Sequence, residues 1–137
     1  MNNITIIPIK NLPEFEPKHD LADEIIKSFS SNNFVLEDKD VIVITQKIVS
    51  KVEDRLIKND NENIEKLIQQ ESIEILRKRG ETVIARTKHG FICANAGIDK
   101  SNIEKGSVLL LPEDPDKTCR DISCLLYTSD AADDVRG

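Results

Sequence analysis

Side chains suited to phosphate binding follow one apolar run of this chain. Residues 41–45 are five β-forming residues. Gln46 and Lys47 come directly after them, and Lys51 follows four residues after Lys47. Phosphate oxygens bind where positive charge and hydrogen-bond donors are concentrated on a rigid support, and a glutamine amide suits the edge of a nucleobase or ribose. Most lysines are solvated surface cations, and the residue types alone favour that simpler interpretation.

A second group of polar side chains follows another apolar run. The apolar run 91–94 ends at Asn95-Ala96-Gly97, and Asp99 and Asn102 follow within the next five residues. Gly97 allows a close backbone approach, Asp99 is a hard oxygen ligand for a divalent cation, and Asn102 both donates and accepts hydrogen bonds. The same pattern is typical of an Asx-stabilised turn without a ligand, and local chemistry favours that turn.

Composition restricts the function classes. The 137 residues are 39% hydrophobic and 32% charged, which is ordinary for one soluble globular domain. The net charge of −6 argues against a general nucleic-acid binder but allows a nucleotide ligand. No stretch has the length of a membrane-spanning helix, and the N-terminus has no secretory signal pattern. We therefore expect no nucleic-acid partner and no membrane association.

Cysteine, histidine and glycine patterns exclude several familiar sites. Cys93, Cys119 and Cys124 are odd in number and match neither a CxxC pair nor a zinc pattern, so reduced thiols in a cytoplasmic protein are the simplest interpretation. Two histidines do not favour a histidine-based metal site. The chain has neither a P-loop nor a GxGxxG motif, so any nucleotide site must be of another type.

The elements that must position these side chains predict an α+β domain with a mixed sheet and two main helices. Asp20 is placed to cap the first helix, and Gly80 to end the second. Residues 41–45 lack polar alternation, which favours a strand covered on both faces. The predicted strands lie near 4–9, 41–46, 82–87, 91–94 and 107–111, and the predicted helices near 20–30 and 62–79.

The last fourteen residues differ from the rest. Residues 124–137 break the helical pattern, and the string Leu-Leu-Tyr-Thr-Ser-Asp-Ala-Ala-Asp-Asp resembles a translated sequencing adapter. A genuine, weakly ordered tail is the alternative. We interpret residues 1–123 as the natural domain and residues 124–137 as a read-through tail.

Three blocks of the chain resemble the N-terminal part of the coenzyme F420-0:γ-glutamyl ligase family. The first is Leu-Pro-Glu-Phe at 12–15 with the following Asp-Leu-Ala at 20–22, and the second is 40–51. The third, 89–115, is the most specific, because it contains Ala-Asn-Ala-Gly-Ile-Asp and Leu-Pro-Glu-Asp-Pro in order. The resemblance covers nearly all of residues 4–123.

The resemblance implies a GTP-dependent ligase that adds L-glutamate to coenzyme F420-0, first by an amide and then by a γ-glutamyl linkage. It implies an acyl-phosphate intermediate, a divalent metal (Mn or Mg), potassium as a monovalent cation, and a homodimer. Asp99 matches a metal ligand. The positions that match GTP contacts are Leu12, Pro13, Glu14, Phe15, Gln46, Lys47, Lys51 and Asn102. No residue is assigned as catalytic.

Two departures from the family pattern matter. Asp54 stands where family members usually have glycine, and aspartate tolerates the left-handed backbone conformation better than most residues. The family's Ile-Thr-Asp-Thr segment, which completes its metal site, has no match in residues 112–137. We therefore expect this chain to be an incomplete and inactive fragment of the ligase. A non-catalytic nucleotide-binding domain or a structural α+β domain is the alternative.

Overall fold

A computed structural model describes residues 3–58, 63–100 and 106–134 of the chain. Helices and strands both contribute to it, which confirms the predicted α+β class. In chain order the elements are α1 (Leu21–Ser31), α2 (Gln46–Val52), β1 (Leu56–Lys58), α3 (Ile64–Gln70), β2 (Ser72–Arg79), β3 (Thr82–Thr87), β4 (Ile92–Ala94), a 3₁₀ turn (Asn95–Gly97), β5 (Ser107–Leu109) and α4 (Pro115–Asp134).

Two antiparallel sheets and two apolar clusters organise these elements. Strands β1 and β5 pair with each other, and β2, β3 and β4 form a second sheet in that order. The first cluster joins α3 to the strands through Ile68, Val83, Ala85, Ala96, Ile98, Val108 and Leu110. The second joins α1 to α4 through Phe15, Leu21, Ile25, Phe29, Ile122 and Leu126.

Predictions from local chemistry are confirmed at several element boundaries. The Asp20 carboxylate accepts a hydrogen bond from the Asp23 amide at 3.0 Å, so it caps α1 as expected. The strands predicted at 82–87 and 91–94 are present as β3 and β4, joined by a turn in which Gly90 has a φ of +87°. The strand predicted at 107–111 is present over 107–109 as β5.

The helix predicted over 62–79 is present only in its first half, and the second half of the prediction is wrong. Helix α3 ends at Gln70, and residues 72–79 form β2, which pairs with β3. The aliphatic residues of this stretch fit a strand as well as a helical stripe, and pairing with β3 decides between the two. Gly80, expected to end a helix, instead has a φ of +60° in the hairpin turn between β2 and β3.

The strands predicted at 4–9 and 41–46 are also wrong. Both stretches are described but neither belongs to a strand, and α2 already begins at Gln46. Val41 and Val43 are 84% and 89% exposed, so the run is not covered on both faces. Composition predicts β-forming capacity, whereas a strand also requires a neighbouring strand with which to pair.

Helix α4 continues through most of the stretch interpreted as a tail. It begins at Pro115, is capped by the Asp114 carboxylate, and extends to Asp134. Leu126 is 4% exposed within the second cluster. The origin of residues 124–137 stays a prediction. In the described part of the chain, no helix combines the length and apolar character needed to cross a membrane.

Candidate functional site

Helix α2 carries the two lysines of the candidate site. Lys47 and Lys51 are four residues apart, so they lie on the same side of the helix, one turn from each other. Lys47 forms an ion pair with Asp99, with 2.8 Å between Nζ and Oδ2. Lys51 forms an ion pair with Glu14. Two cations on one short helix are thus each paired with a carboxylate from a distant part of the sequence.

The end of α2 is fixed by a Schellman motif. The Arg55 amide donates to the Ser50 carbonyl at 2.9 Å, and the Asp54 amide donates to the Lys51 carbonyl at 3.1 Å. Asp54 has a φ of +57°, the left-handed conformation that glycine adopts most readily. The expectation that aspartate sustains this turn in place of glycine is confirmed.

Asp99 is held by its backbone against β5. Its amide and carbonyl exchange hydrogen bonds with those of Leu109, each at 2.9 Å. The preceding residues Asn95, Ala96 and Gly97 all have positive φ, and the Asn95 carboxamide accepts a hydrogen bond from the Val83 amide at 3.0 Å. This compact turn fixes the point at which the chain leaves β4 and enters the Asp99 bridge.

Gly97 makes the close approach that the sequence predicted. A Cβ at this position would lie 2.7–2.9 Å from three side-chain carbons of Leu111, and φ is +74°. Contacts under 3 Å require a neighbouring atom to move. A side chain at this position would therefore require both a left-handed backbone and a shift of the Leu111 side chain.

The electrostatics of the two ion pairs differ. The Lys47 and Asp99 side chains are 32% and 28% exposed, whereas Glu14 is 83% exposed beside the 25% exposed Lys51. The hydrogen bond from Lys51, followed by its positive charge, holds the pKa of Glu14 below its ordinary value. Such an exposed pair adds little to folding stability, so Glu14 can change partner at low cost.

The other predicted site residues differ in how far they are buried and in what they contact. Phe15 is 6% exposed in the second cluster, and Leu12 packs against the same cluster, whereas Pro13 is exposed next to Glu14. The Gln46 carboxamide donates a 3.4 Å hydrogen bond to the Ser50 hydroxyl. Asn102 lies outside the described residues. In the predicted first GTP-contacting loop, Pro13 and Glu14 thus lie at the surface, while Leu12 and Phe15 pack into the second apolar cluster.

The described residues supply part of a divalent-metal site. The Asp99 carboxylate has the hard oxygen atoms that Mg²⁺ and Mn²⁺ prefer. Within residues 3–58, 63–100 and 106–134, however, no group of three or more His, Cys, Asp or Glu side chains is placed to hold a metal ion. These side chains alone therefore do not complete a metal site.

A polar network that the sequence did not predict connects the residues just after α2 to distant parts of the chain. The Arg55 guanidinium donates to the Glu71 carboxylate at 2.8 Å and to the Leu111 carbonyl at 2.9 Å. Glu53 accepts a hydrogen bond from the Thr118 hydroxyl at 2.7 Å. Arg55 is thus bonded to the residues that follow α3 and β5, and Glu53 is bonded to α4. Their partners are 16 to 65 residues away, so no local pattern reveals them.

A wide cavity of about 920 Å³ lies beside the site. Its lining includes residues 36–42 and Ile44, His89 and Phe91 near the β3–β4 turn, and one side of α4. Gln46 is the one predicted site residue in this lining, so the ion-paired lysines lie outside the cavity. At the beginning of α2, Gln46 lines the cavity and the next residue, Lys47, forms the ion pair with Asp99.

Comparisons with known proteins agree with the resemblance found in the sequence. The family described as F420-0:Gamma-glutamyl ligase matches residues 10–129. A coenzyme F420:L-glutamate ligase of Methanothermobacter thermautotrophicus is 33% identical over 136 residues, covering 87% of this chain and 54% of that protein. One of Methanococcus maripaludis is 42% identical over 108 residues, covering 66% of this chain and 43% of that protein.

The chain spans about half the length of the curated relatives that it matches. The family match extends over all four residues of the two ion pairs and over the Asp54 turn. It also extends beyond Ser123, where the resemblance was expected to end. The chain belongs to the F420-0:γ-glutamyl ligase family.

Proposed function

We propose that the side chains of Glu14, Lys47, Lys51 and Asp99 bind the phosphates of GTP and an accompanying divalent metal. In this proposal the site serves a ligase that adds L-glutamate to coenzyme F420-0. The observation that carries it is the pair of lysines one turn apart on α2, each forming an ion pair with a carboxylate from a distant part of the sequence. When GTP binds, phosphate oxygens would replace the two carboxylates as partners of the lysines, and the carboxylates could then make other contacts.

Three features support the proposal. The four residues are among those to which the family resemblance assigns GTP and metal contacts, and they form two ion pairs in the fold. The Asp99 backbone is fixed by the bridge to Leu109, and the end of α2 by its Schellman motif. Preorganised charges of this kind are what phosphoryl transfer requires of a protein.

The proposed reaction has two steps. A carboxylate oxygen of F420-0 attacks the γ-phosphorus of GTP, the bond to the β-phosphate oxygen breaks, and GDP leaves. The amine of L-glutamate then attacks the acyl carbon of the resulting acyl phosphate, inorganic phosphate leaves, and the amine loses a proton. In this scheme Lys47 and Lys51 hold the phosphate charge in place, and the metal, when bound, neutralises charge on the phosphates.

We further propose that this chain alone has little or no turnover. The Asp and Thr of the family's Ile-Thr-Asp-Thr segment have no match in residues 112–137, so the other metal ligands that the resemblance implies beside Asp99 are not matched there. A cation held by one carboxylate binds weakly. Nucleotide binding is therefore the activity to test on the chain itself.

Metal dependence of GTP binding separates the ligase site from a nucleotide-binding domain without catalysis. We expect calorimetric titration with GTP to give tighter binding with MnCl₂ than with EDTA, and Asp99→Ala to abolish that difference. Asp121→Ala is a matched control, because Asp121 is exposed on α4 and forms an ion pair with Lys117 one turn away on the same helix. GTP binding that is indifferent to both metal and Asp99→Ala would favour the non-catalytic alternative.

A further inference from the structure

His19 stands immediately before the cap of α1 and bonds to the backbone of the preceding turn at two points. The Glu16 amide donates a hydrogen bond to Nδ1 of the His19 ring at 2.9 Å. The His19 amide in turn donates to the Glu16 carbonyl at 3.3 Å. Because Nδ1 accepts a hydrogen bond, the ring proton is assigned to Nε2. Both polar backbone groups of Glu16 are thus bonded to one residue.

The turn that His19 closes is one that glycine favours. Residues 16–19 form it, with Pro17 in the second position and Lys18 in the third. Lys18 has a φ of +75°, the left-handed conformation that a type II turn requires at its third position. An L-residue in this conformation is strained, and the hydrogen bonds that close the turn offset that strain. The His19 side chain supplies one of these bonds, and its amide supplies the other.

A second turn of the chain, at residues 37–40, is built in the same way. Lys39 in its third position also has a φ of +75°. The Asp40 amide donates to the Glu37 carbonyl at 3.1 Å, and the Glu37 amide donates to Oδ2 of Asp40 at 2.9 Å. Oδ2 of Asp40 and Nδ1 of His19 are both bonded to Cγ of their side chains. The fourth position of either turn therefore needs an acceptor bonded to Cγ, which aspartate and asparagine provide and glutamine does not.

The His19 turn connects a fixed helix to the loop that carries Glu14. Helix α1, which begins two residues after His19, has its apolar side in the second cluster. The Phe15 ring is 6% exposed in the same cluster and meets the His19 ring edge to face, with 6.0 Å between the ring centroids. Glu14 is 83% exposed and forms the ion pair with Lys51. Because solvent surrounds most of the Glu14 side chain, its direction depends on the backbone that His19 holds.

We propose that His19 is a positioning residue for the loop 12–15, which it holds in the GTP-binding arrangement through the Glu16 amide. The inference rests on the proposed function, since the positions of this loop are assigned to GTP by resemblance. It adds a residue that lies outside the positions matched to GTP contacts. A loop that is ordered before the nucleotide arrives loses less conformational entropy on binding. His19 acts here through the backbone and makes no contact with GTP.

The test moves the acceptor by one bond. In His19→Asn the acceptor Oδ1 is bonded to Cγ, as Nδ1 is, whereas in His19→Gln the acceptor lies one carbon further along. Lys51 lowers the pKa of Glu14, first by its hydrogen bond and then by its charge. In His19→Gln we expect an NMR titration to show this pKa returning toward its ordinary value. GTP binding in MnCl₂ should weaken by at least about threefold, as for the loss of one hydrogen bond.

Two further variants serve as controls. His19→Asn should match the wild-type chain in both the Glu14 pKa and the GTP affinity, because the acceptor is restored although the ring is lost. Asp40→Glu makes the same one-carbon displacement in the turn 37–40 and should leave the Glu14 pKa lowered. The amide spectrum of each variant shows whether it is folded.

An unchanged Glu14 pKa in His19→Gln would overturn the proposal, as would equal effects of His19→Gln and His19→Asn or of His19→Gln and Asp40→Glu. A changed pKa with unchanged GTP affinity would overturn the role in nucleotide binding. A His19→Gln chain that does not fold would assign His19 to folding and also overturn the proposal. If the wild-type chain does not bind GTP, the proposed function fails, and the Glu14 pKa alone decides whether His19 positions the loop.

Discussion

Gly97→Ala should destabilise the fold by two separable effects. The residue would keep a φ of +74°, and its Cβ would lie 2.7–2.9 Å from carbons of Leu111. Left-handed backbone costs an L-residue about 1–2 kcal/mol, and overpacking adds about 1–3 kcal/mol, so the free energy of unfolding should fall by about 2–5 kcal/mol. Urea denaturation followed by circular dichroism measures this change.

Gly80→Ala isolates the backbone effect. Gly80 has a φ of +60°, and a Cβ there would meet no atom within 4 Å. Both variants reduce the conformational freedom of the unfolded chain equally, so the difference between them, about 1–3 kcal/mol, measures the contact with Leu111. Leu111→Ala should cost less stability in the Gly97→Ala background than in the wild-type chain, because it also removes the close contact. Equal destabilisation by the two single substitutions would refute the close approach.

Three further predictions concern single groups. Asp54→Gly should raise the free energy of unfolding by about 0.5–1 kcal/mol, because glycine relieves the left-handed strain at the end of α2; a lower value in urea denaturation would contradict this. By NMR titration the pKa of Glu14 should lie below its ordinary value and return to it in Lys51→Ala. Because the pKa of Glu14 is lowered in the folded chain, the pair stabilises the fold above the unfolded-state pKa, and this stabilisation is lost as pH falls through the folded-state pKa. Identical Glu14 titration curves in the wild-type chain and in Lys51→Ala would show that the pair does not form. Burial raises the pKa of the Cys93 thiol, so a disulfide reagent should label exposed Cys119 faster, and equal rates would be inconsistent with the fold.

Features set by local chemistry could be predicted from the sequence. The cap at Asp20 and the left-handed tolerance of Asp54 depend on residues within a few positions. The helix predicted over 62–79 failed because its aliphatic spacing also fits a strand, and only pairing with β3 distinguishes them. Gly80 fits a helix end and a hairpin turn equally well.

The candidate site was predictable in its residue types but not in its geometry. The positions of Lys47, Lys51 and Asp99 were recognised from their chemistry and from the family resemblance. The contact of Lys51 with Glu14 joins residues 37 apart, and neither hydrophobic period nor turn chemistry specifies such a pair. Long-range contacts of this kind depend on how α2 packs, which is a property of the whole fold.

If the two lysines of α2 bind the phosphates of GTP, removing one of them must weaken GTP binding. The measurement is a titration of the purified chain with GTP in the presence of Mn²⁺, with Lys51→Ala as the variant and Lys58→Ala, at an exposed lysine on β1, as the control. We expect saturable binding that Lys51→Ala weakens by at least about tenfold, the loss of one charge-assisted contact, while Lys58→Ala has no effect. No binding to the wild-type chain, or equal binding by all three proteins, would contradict it.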